Sequence, residues 1–165
     1  MNKRRVGQAL TGSNISHVGF VVADLNEAMS RVSQALQLTF LPILDQALVN
    51  LEEAERHGPS RLRLTWSIEG PPHVELIEAH ESGVYSMHAT EGEFHHLGGF
   101  ADKNFSALSR FDSLGVGTDA VQRDTDGAII ATYSDPEGLF GIRFEHIALS
   151  QQESIAAWLR GQPWA

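Results

Sequence analysis

The strongest constraint on this chain is a stretch that occurs twice. Ile15-Ser16-His17-Val18-Gly19-Phe20-Val21-Val22 is an apolar run of strand formers carrying one histidine, and something very like it returns at His95-His96-Leu97-Gly98-Gly99-Phe100. At the same offset of 79 residues, Ala28-Met29-Ser30-Arg31 falls on Ala107-Leu108-Ser109-Arg110, so the likeness covers a strand and the helix behind it. A repeat of this kind predicts a duplicated supersecondary unit. Because 165 residues sit inside the range of one domain, the two copies are expected to share a core.

Each half then reads as strand, helix and three strands. Leu25, Ala28, Met29, Val32, Ala35 and Leu36 recur at spacings of three and four behind Asp24, a helix-capping residue type. Leu38 to Leu44, interrupted by Pro42, is expected as a second strand, and Gln46 to His57 as a short helix or a charged excursion ending at Gly58-Pro59. Arg61 to Ile68 and His73 to Glu78 alternate around the Gly70-Pro71-Pro72 turn, the pattern of a hairpin. After the second histidine strand, Phe105, Leu108, Phe111 and Leu114 mark a helix ended by Gly115, and strands are expected at Val121 to Arg123, Ala128 to Tyr133 and Gly141 to Ile147.

The fold class is therefore α+β, with two paired βαβββ modules forming a curved mixed sheet around a central cleft. The expected divisions are a flexible tail at 1–14, a first module at 15–80, a connector at 81–94, a second module at 95–148, and a C-terminal helix and tail at 149–165. Ile155, Trp158 and Leu159 give that last helix an apolar face for the sheet or for a partner subunit.

Composition removes several functions. A formal charge of -9 opposes binding to a phosphate backbone, so nucleic acid is not an expected partner. With no cysteine, any metal must be held by histidine nitrogen and carboxylate oxygen. The basic Met1-Asn2-Lys3-Arg4-Arg5 start lacks the apolar stretch of a signal peptide, and no apolar run reaches the roughly 18 residues of a membrane span. A cytoplasmic location, with no membrane partner, follows by elimination.

Side chains alternate across a strand, so the apolar face of each strand shows where its polar residues point. With Val18, Phe20 and Val22 toward the helix, His17 and Gly19 take the other face, and His96 rather than His95 is the counterpart of His17. By the same parity Val74 and Leu76 leave Glu75 on the opposite face, and the last strand selects Glu145. His17, Glu75, His96 and Glu145 then converge as a two-histidine, two-carboxylate set suited to a divalent cation, with Zn, Ni, Co, Mn and Fe all compatible. On the strand before Glu75, Arg63, Thr65 and Ser67 are placed on the cleft face and Trp66 in the core. Arg143 shares the face of Glu145, either as an ion-pair member or as an anchor for an anionic substrate, and Tyr133 is a core or cleft-wall residue. Arg143, Thr65, Arg63 and Tyr133 are accordingly the substrate-binding candidates. His95 and His146 are assigned to the helix layer.

The sequence resembles the vicinal oxygen chelate superfamily, which includes glyoxalase I, methylmalonyl-CoA epimerase and extradiol dioxygenases. The resemblance spans 15 to 147 and rests on His-Val-Gly-Phe-Val-Val-Ala-Asp-Leu from His17, Val-Glu-Leu-Ile-Glu from Val74, His-His-Leu-Gly-Gly-Phe from His95, and Asp-Pro-Glu-Gly-Leu-Phe-Gly-Ile-Arg-Phe-Glu from Asp135. The four metal positions of the superfamily fall on His17, Glu75, His96 and Glu145, the residues that parity selects. The last motif is most similar to the lactoylglutathione-lyase-like and epimerase-like branch.

The resemblance implies a metal-dependent lyase or isomerase that chelates vicinal oxygens of a small carbonyl substrate and transfers a proton through an enolate, with Glu145 or Glu75 as base. It also implies a homodimer, for which Trp158 and Trp164 are the interface candidates. Two other activities share the fold: an Fe(II) extradiol-type dioxygenase using His17, His96 and Glu145, and a non-catalytic protein that binds a small molecule such as an antibiotic.

Overall fold

The computed structural model describes residues 15–164 apart from 55, 103 and 104; the tail expected at 1–14 lies outside the described residues. The elements follow in the order β1 (Ile15–Val22), α1 (Leu25–Leu36), β2 (Leu44–Glu53), β3 (Arg56–Trp66), β4 (His73–Glu78), β5 (Gly92–Phe100), α2 (Ser106–Ser113), β6 (Thr118–Arg123), β7 (Ile129–Ser134), β8 (Phe144–Ile147) and α3 (Gln152–Leu159). The eight strands close into a barrel in the order β1-β4-β3-β2-β6-β7-β8-β5. Two pairs, β1 with β4 and β5 with β8, are parallel, and every other pair is antiparallel.

Local chemistry accounts for the first helix. The Asp24 carboxylate accepts from the Glu27 amide at 2.9 Å and caps α1, an interaction that stabilises a helix by about 1 kcal/mol. Phe20 and Val22 of β1 and Val74 and Leu76 of β4 meet Leu25, Ala28 and Met29 of α1 on the outside of the barrel. That placement fixes the parity of β1 and β4, so the alternate residues, His17 and Glu75, must point inward.

The expectations for 38–57 are corrected. Outside the named strands, Phe40 makes only an isolated bridge to Ser67, and the residues from Leu44 to Glu53 form one long strand instead of a helix or excursion. Gly58 and Pro59, taken as a terminator, lie inside β3 at the point where the register with β2 shifts, between the Leu48–Ser60 and Leu51–Gly58 pairs. A bulge is where a strand tolerates proline, because the missing N–H costs no ladder bond there.

The main core fills the barrel interior. Leu51, Leu62, Leu64, Ile77 and Tyr85 are joined by Ile155 and Trp158 of α3, so the C-terminal helix packs into the barrel. Trp158 is only 6% exposed and Trp164 packs edge-on against it at 5.7 Å. Trp158, expected at a subunit surface, is therefore a core residue of its own chain. Among the described residues no helix is long and apolar enough to cross a membrane.

Candidate metal centre

Four strands deliver the four converging side chains. In the barrel register His17 of β1 lies opposite Gly98 of β5, and His96 of β5 lies opposite Gly19 of β1. Glu75 of β4 is paired with Gly19, and Glu145 of β8 with Gly98. Each glycine thus sits between one ligand-type residue on each side, and its missing side chain is the space that an imidazole fills. A Cβ at Gly19 would overlap the His96 ring, and one at Gly98 would overlap the His17 ring. The His-x-Gly spacing, which both copies of the repeat carry, is a packing requirement of this crossing.

The four ligand atoms lie within 4.8 Å of one another and all four residues are buried. His17 Nε2 is 2.8 Å from His96 Nε2 and 2.8 Å from Glu145 Oε2; His96 Nε2 is 3.1 Å from Glu75 Oε2 and 3.4 Å from Glu145 Oε2; and His17 Nε2 is 3.5 Å from Glu75 Oε2. Neighbouring ligands on a cation with bonds of about 2.1 Å lie about 3 Å apart, and these separations match that spacing. Glu75 Oε2 is buried and has no hydrogen-bond partner outside the quartet, so this carboxylate oxygen aims at the centre.

Hydrogen bonds behind the imidazoles set their tautomers. The Val84 carbonyl can only accept, so His95 carries its proton on Nε2, which donates across 2.7 Å. Burial, with the nearby positive charge on His96, pushes His95 down to about 3 and keeps it neutral. Its Nδ1 therefore accepts from His96 Nδ1–H at 2.8 Å, leaving His96 Nε2 to face the centre. On the other side the Ser16 hydroxyl donates to the Gly98 carbonyl at 3.2 Å and accepts from His17 Nδ1–H at 3.0 Å. Both Nε2 atoms and both carboxylates then face one point, an arrangement suited to holding a cation.

The carboxylates are held in turn. Trp66 Nε1 donates to Glu75 Oε1 at 2.8 Å, and the Tyr133 hydroxyl donates to Glu145 Oε1 at 2.6 Å. Tyr85 donates to Tyr133 at 3.1 Å and Gln122 donates to Tyr85, forming a buried chain that ends on Glu145. Burial would raise the Glu145 carboxyl, but hydrogen bonds to His17 and His96 and their charge outweigh it and hold the group well below the ordinary carboxylate range. Burial likewise opposes charge on His96, yet its bonds to Glu145 and Glu75 and their negative charge push the imidazole up to about 9. Without a metal, a proton on His96 supplies part of the positive charge that the pair of glutamates demands.

Glu75, Glu145, Trp66 and Tyr133 line a cavity inside the barrel, with His17 and His96 fully buried behind them. Of the expected substrate-binding residues, Tyr133 is brought to the cavity. Arg63 and Thr65 are not. Arg63 is on the outside of the barrel, bonded to Glu78 at 2.6 Å, and Thr65 donates to the Leu41 carbonyl at 2.7 Å. The parity of β3 is inverted from the expected one because its inner face, Leu62, Leu64 and Trp66, is the apolar one. Arg143 pairs with Asp119 and opens onto a different cavity, together with His95.

Sequence reasoning missed Trp66, His95 and Tyr85. For Trp66 the signal existed: it pairs directly with Glu75 across the β3–β4 hairpin, and cross-strand partners share a face. His146, placed in the helix layer, does pack on Phe111 of α2, at 5.2 Å between rings.

No family model matches the sequence, and no curated protein matches it. Solved structures do. A hypothetical protein from Bacillus halodurans C-125 aligns with a TM-score of 0.60 at 16% identity, over 84% of this chain and 95% of that one. Methylmalonyl-CoA epimerase from Mycobacterium tuberculosis aligns with a TM-score of 0.56 at 18% identity, over 87% of this chain and 91% of that one. A variant of the Streptomyces coelicolor methylmalonyl-CoA epimerase in complex with 2-nitronate-propionyl-CoA aligns with a TM-score of 0.56 at 15% identity, over 82% and 96%. At such identities the likeness concerns the backbone. The chain has the fold of the vicinal oxygen chelate superfamily, to which methylmalonyl-CoA epimerase belongs.

Proposed function

We propose that this chain is a metal-dependent isomerase or lyase that moves a proton beside a carbonyl of a small substrate, in a site built from the paired β1–β4 and β5–β8 strands of a duplicated unit. The observation that carries the reading is the buried convergence of His17 Nε2, His96 Nε2, Glu75 Oε2 and Glu145 Oε2, with Glu75 Oε2 lacking any other partner. Those four atoms would hold a divalent cation. When bound, such an ion supplies Lewis-acid polarisation of a carbonyl and neutralises charge developing on its oxygen.

The remaining roles belong to the protein. Glu75 and Glu145 face the cavity, so a substrate seated there meets the carboxylates. We assign Glu145 as the base that takes a proton from the carbon beside the carbonyl and returns it, and Glu75 as its opposite number. Tyr133 keeps Glu145 in place through Oε1, and Trp66 does the same for Glu75. The apolar side chains that wall the cavity lower the local dielectric, which strengthens charge interactions at the site.

Metal content after repletion with Zn, Ni, Co, Mn or Fe(II) is expected to reach one ion per chain. His96→Ala is expected to abolish it. The loaded protein is expected to exchange deuterium from solvent into an α-hydroxyketone, and Glu145→Gln to slow that exchange at least a hundredfold. A metal content near zero in the repleted protein would refute the proposal.

A further inference from the structure

We infer that the site takes an uncharged, largely apolar substrate whose two vicinal oxygens lie at one end, such as an α-hydroxyketone with an alkyl or aryl tail, and that a coenzyme A or glutathione conjugate is not its ligand. This inference rests on the metal-centre reading above and specifies its substrate class.

The cavity that reaches Glu75 and Glu145 is walled by Leu62, Leu64 and Trp66 of β3, Ile130 of β7, and Trp158 of α3. Among the described residues, Glu75 and Glu145 are the only charged groups in that lining, and both belong to the quartet. Among the described residues no lysine or arginine lines it to receive a phosphate or a distal carboxylate. The arginines on or beside the nearest strands are committed elsewhere: Arg56 to Glu53 at 2.9 Å, Arg61 to Asp45 at 2.6 Å, Arg63 to Glu78 at 2.6 Å, Arg123 to Glu52 at 2.9 Å, and Arg143 to Asp119. None of these lines the cavity. An anionic tail would enter a wall of apolar carbon beside two carboxylates, losing its hydration with nothing in exchange.

The same wall favours an apolar tail. Trp66 stacks near His17, with ring centroids 4.4 Å apart, and donates to Glu75, so its indole begins at the centre. Trp158 follows at 6.3 Å and Trp164 at a further 5.7 Å, both supplied by the C-terminal segment. These rings form a continuous aromatic flank from the ligand atoms outward, and an alkyl or aryl group lying along it replaces water with carbon contacts. The polar atoms left in the lining are mainly those of three glutamines, Gln46, Gln122 and Gln151, and Gln122 already donates to Tyr85. Recognition at the tail is thus by shape and apolar contact, while orientation comes from the oxygens at the quartet.

The test uses the full chain loaded with Mn or Zn, and tryptophan fluorescence or calorimetry as the readout. Three probes are compared: 2-hydroxyacetophenone, its 4-carboxylate derivative, and a methylmalonyl-CoA thioester. The first pair shares one chelating end and differs only in tail charge. The neutral ketone is expected to bind at least tenfold more tightly than either anion. Trp164→Ala, at the outer end of the flank, is expected to weaken the aryl ketone several-fold while leaving hydroxyacetone, which has no aryl tail, within twofold. Metal content measured on the same samples separates the two readings. An ion-free protein overturns the metal-centre reading and this inference with it; an ion-loaded protein that prefers an anion, or binds none of the probes, overturns this inference alone.

Discussion

At the scale of single residues, the two glycines opposite the histidines are as specific to the centre as the ligands. Gly98→Ala places a methyl group where the His17 ring lies, and the strand pairing on both sides leaves the backbone little room to retreat. The ring must turn away, taking Nε2 off the centre. Ion affinity is expected to fall at least tenfold while circular dichroism stays that of the folded protein; chelator competition measures it, and unchanged affinity would remove the packing argument. Tyr133→Phe tests the hydroxyl chain. It deletes the donor to Glu145 Oε1 and the acceptor for Tyr85, both buried. Loss of such a charge-assisted bond costs about 1.5–3 kcal/mol, so deuterium exchange is expected to slow about tenfold or more with metal content retained. If exchange is untouched, Tyr133 is only a core residue.

At the scale of elements, the parts legible in the sequence are those where one face of a strand packs on a helix. Val22 and Leu76 under α1 reveal the inward direction of His17 and Glu75 by alternation alone. β3 defeated the same reasoning because a barrel interior that holds a cavity is itself apolar, and an apolar face then no longer means a helix-facing one. The β2–β3 pair was illegible because Gly58-Pro59 of β3, a turn signal in isolation, lies at the register shift between the two strands. The relation of His95 to His96 was hidden for another reason. It depends on Val84, a connector residue brought close only by the closed sheet.

His146 between β8 and α2 gives this scale its own prediction. Its ring lies 4.7 Å from Phe144 and 5.2 Å from Phe111, and burial pushes its imidazole down to about 4. A depressed histidine contributes stability that is complete above about pH 6.5, the unfolded value, and is lost as pH falls toward 4, because the unfolded chain binds the proton that the folded one refuses. His146→Phe keeps the aromatic packing and removes that proton. Urea midpoints of the variant and parent are expected to diverge in the variant's favour as pH is lowered from 7 to about 4.5. A constant difference across that range would show that another group is responsible.

At the scale of the whole molecule, a cation held by the quartet would be a cross-link. Its ligands come from β1 and β4 on one side and β5 and β8 on the other, so an ion held there ties the two halves of the closed sheet at their junction. A ligand that binds only the folded state stabilises it by about 4 kcal/mol at a thousandfold excess over its Kd, and each kcal/mol moves the melting temperature of a protein this size by about 2–4 °C. Removing the ion with a chelator is therefore expected to lower the melting temperature by about 10 °C, but not equally at every pH. In the ion-free protein the proton on His96, whose imidazole is pushed up to about 9, stands in for the metal between the glutamates. A raised histidine contributes stability that is complete below about 6.5 and lost as pH rises through about 9. The ion-free protein loses its substitute over that window, while the loaded one has already released the proton and does not. The melting temperatures with and without chelator are accordingly expected to lie closer together at pH 6 than at pH 9. A gap of the same size at both would mean that His96 carries no proton in the ion-free protein, and that the two carboxylates are neutralised by some other route.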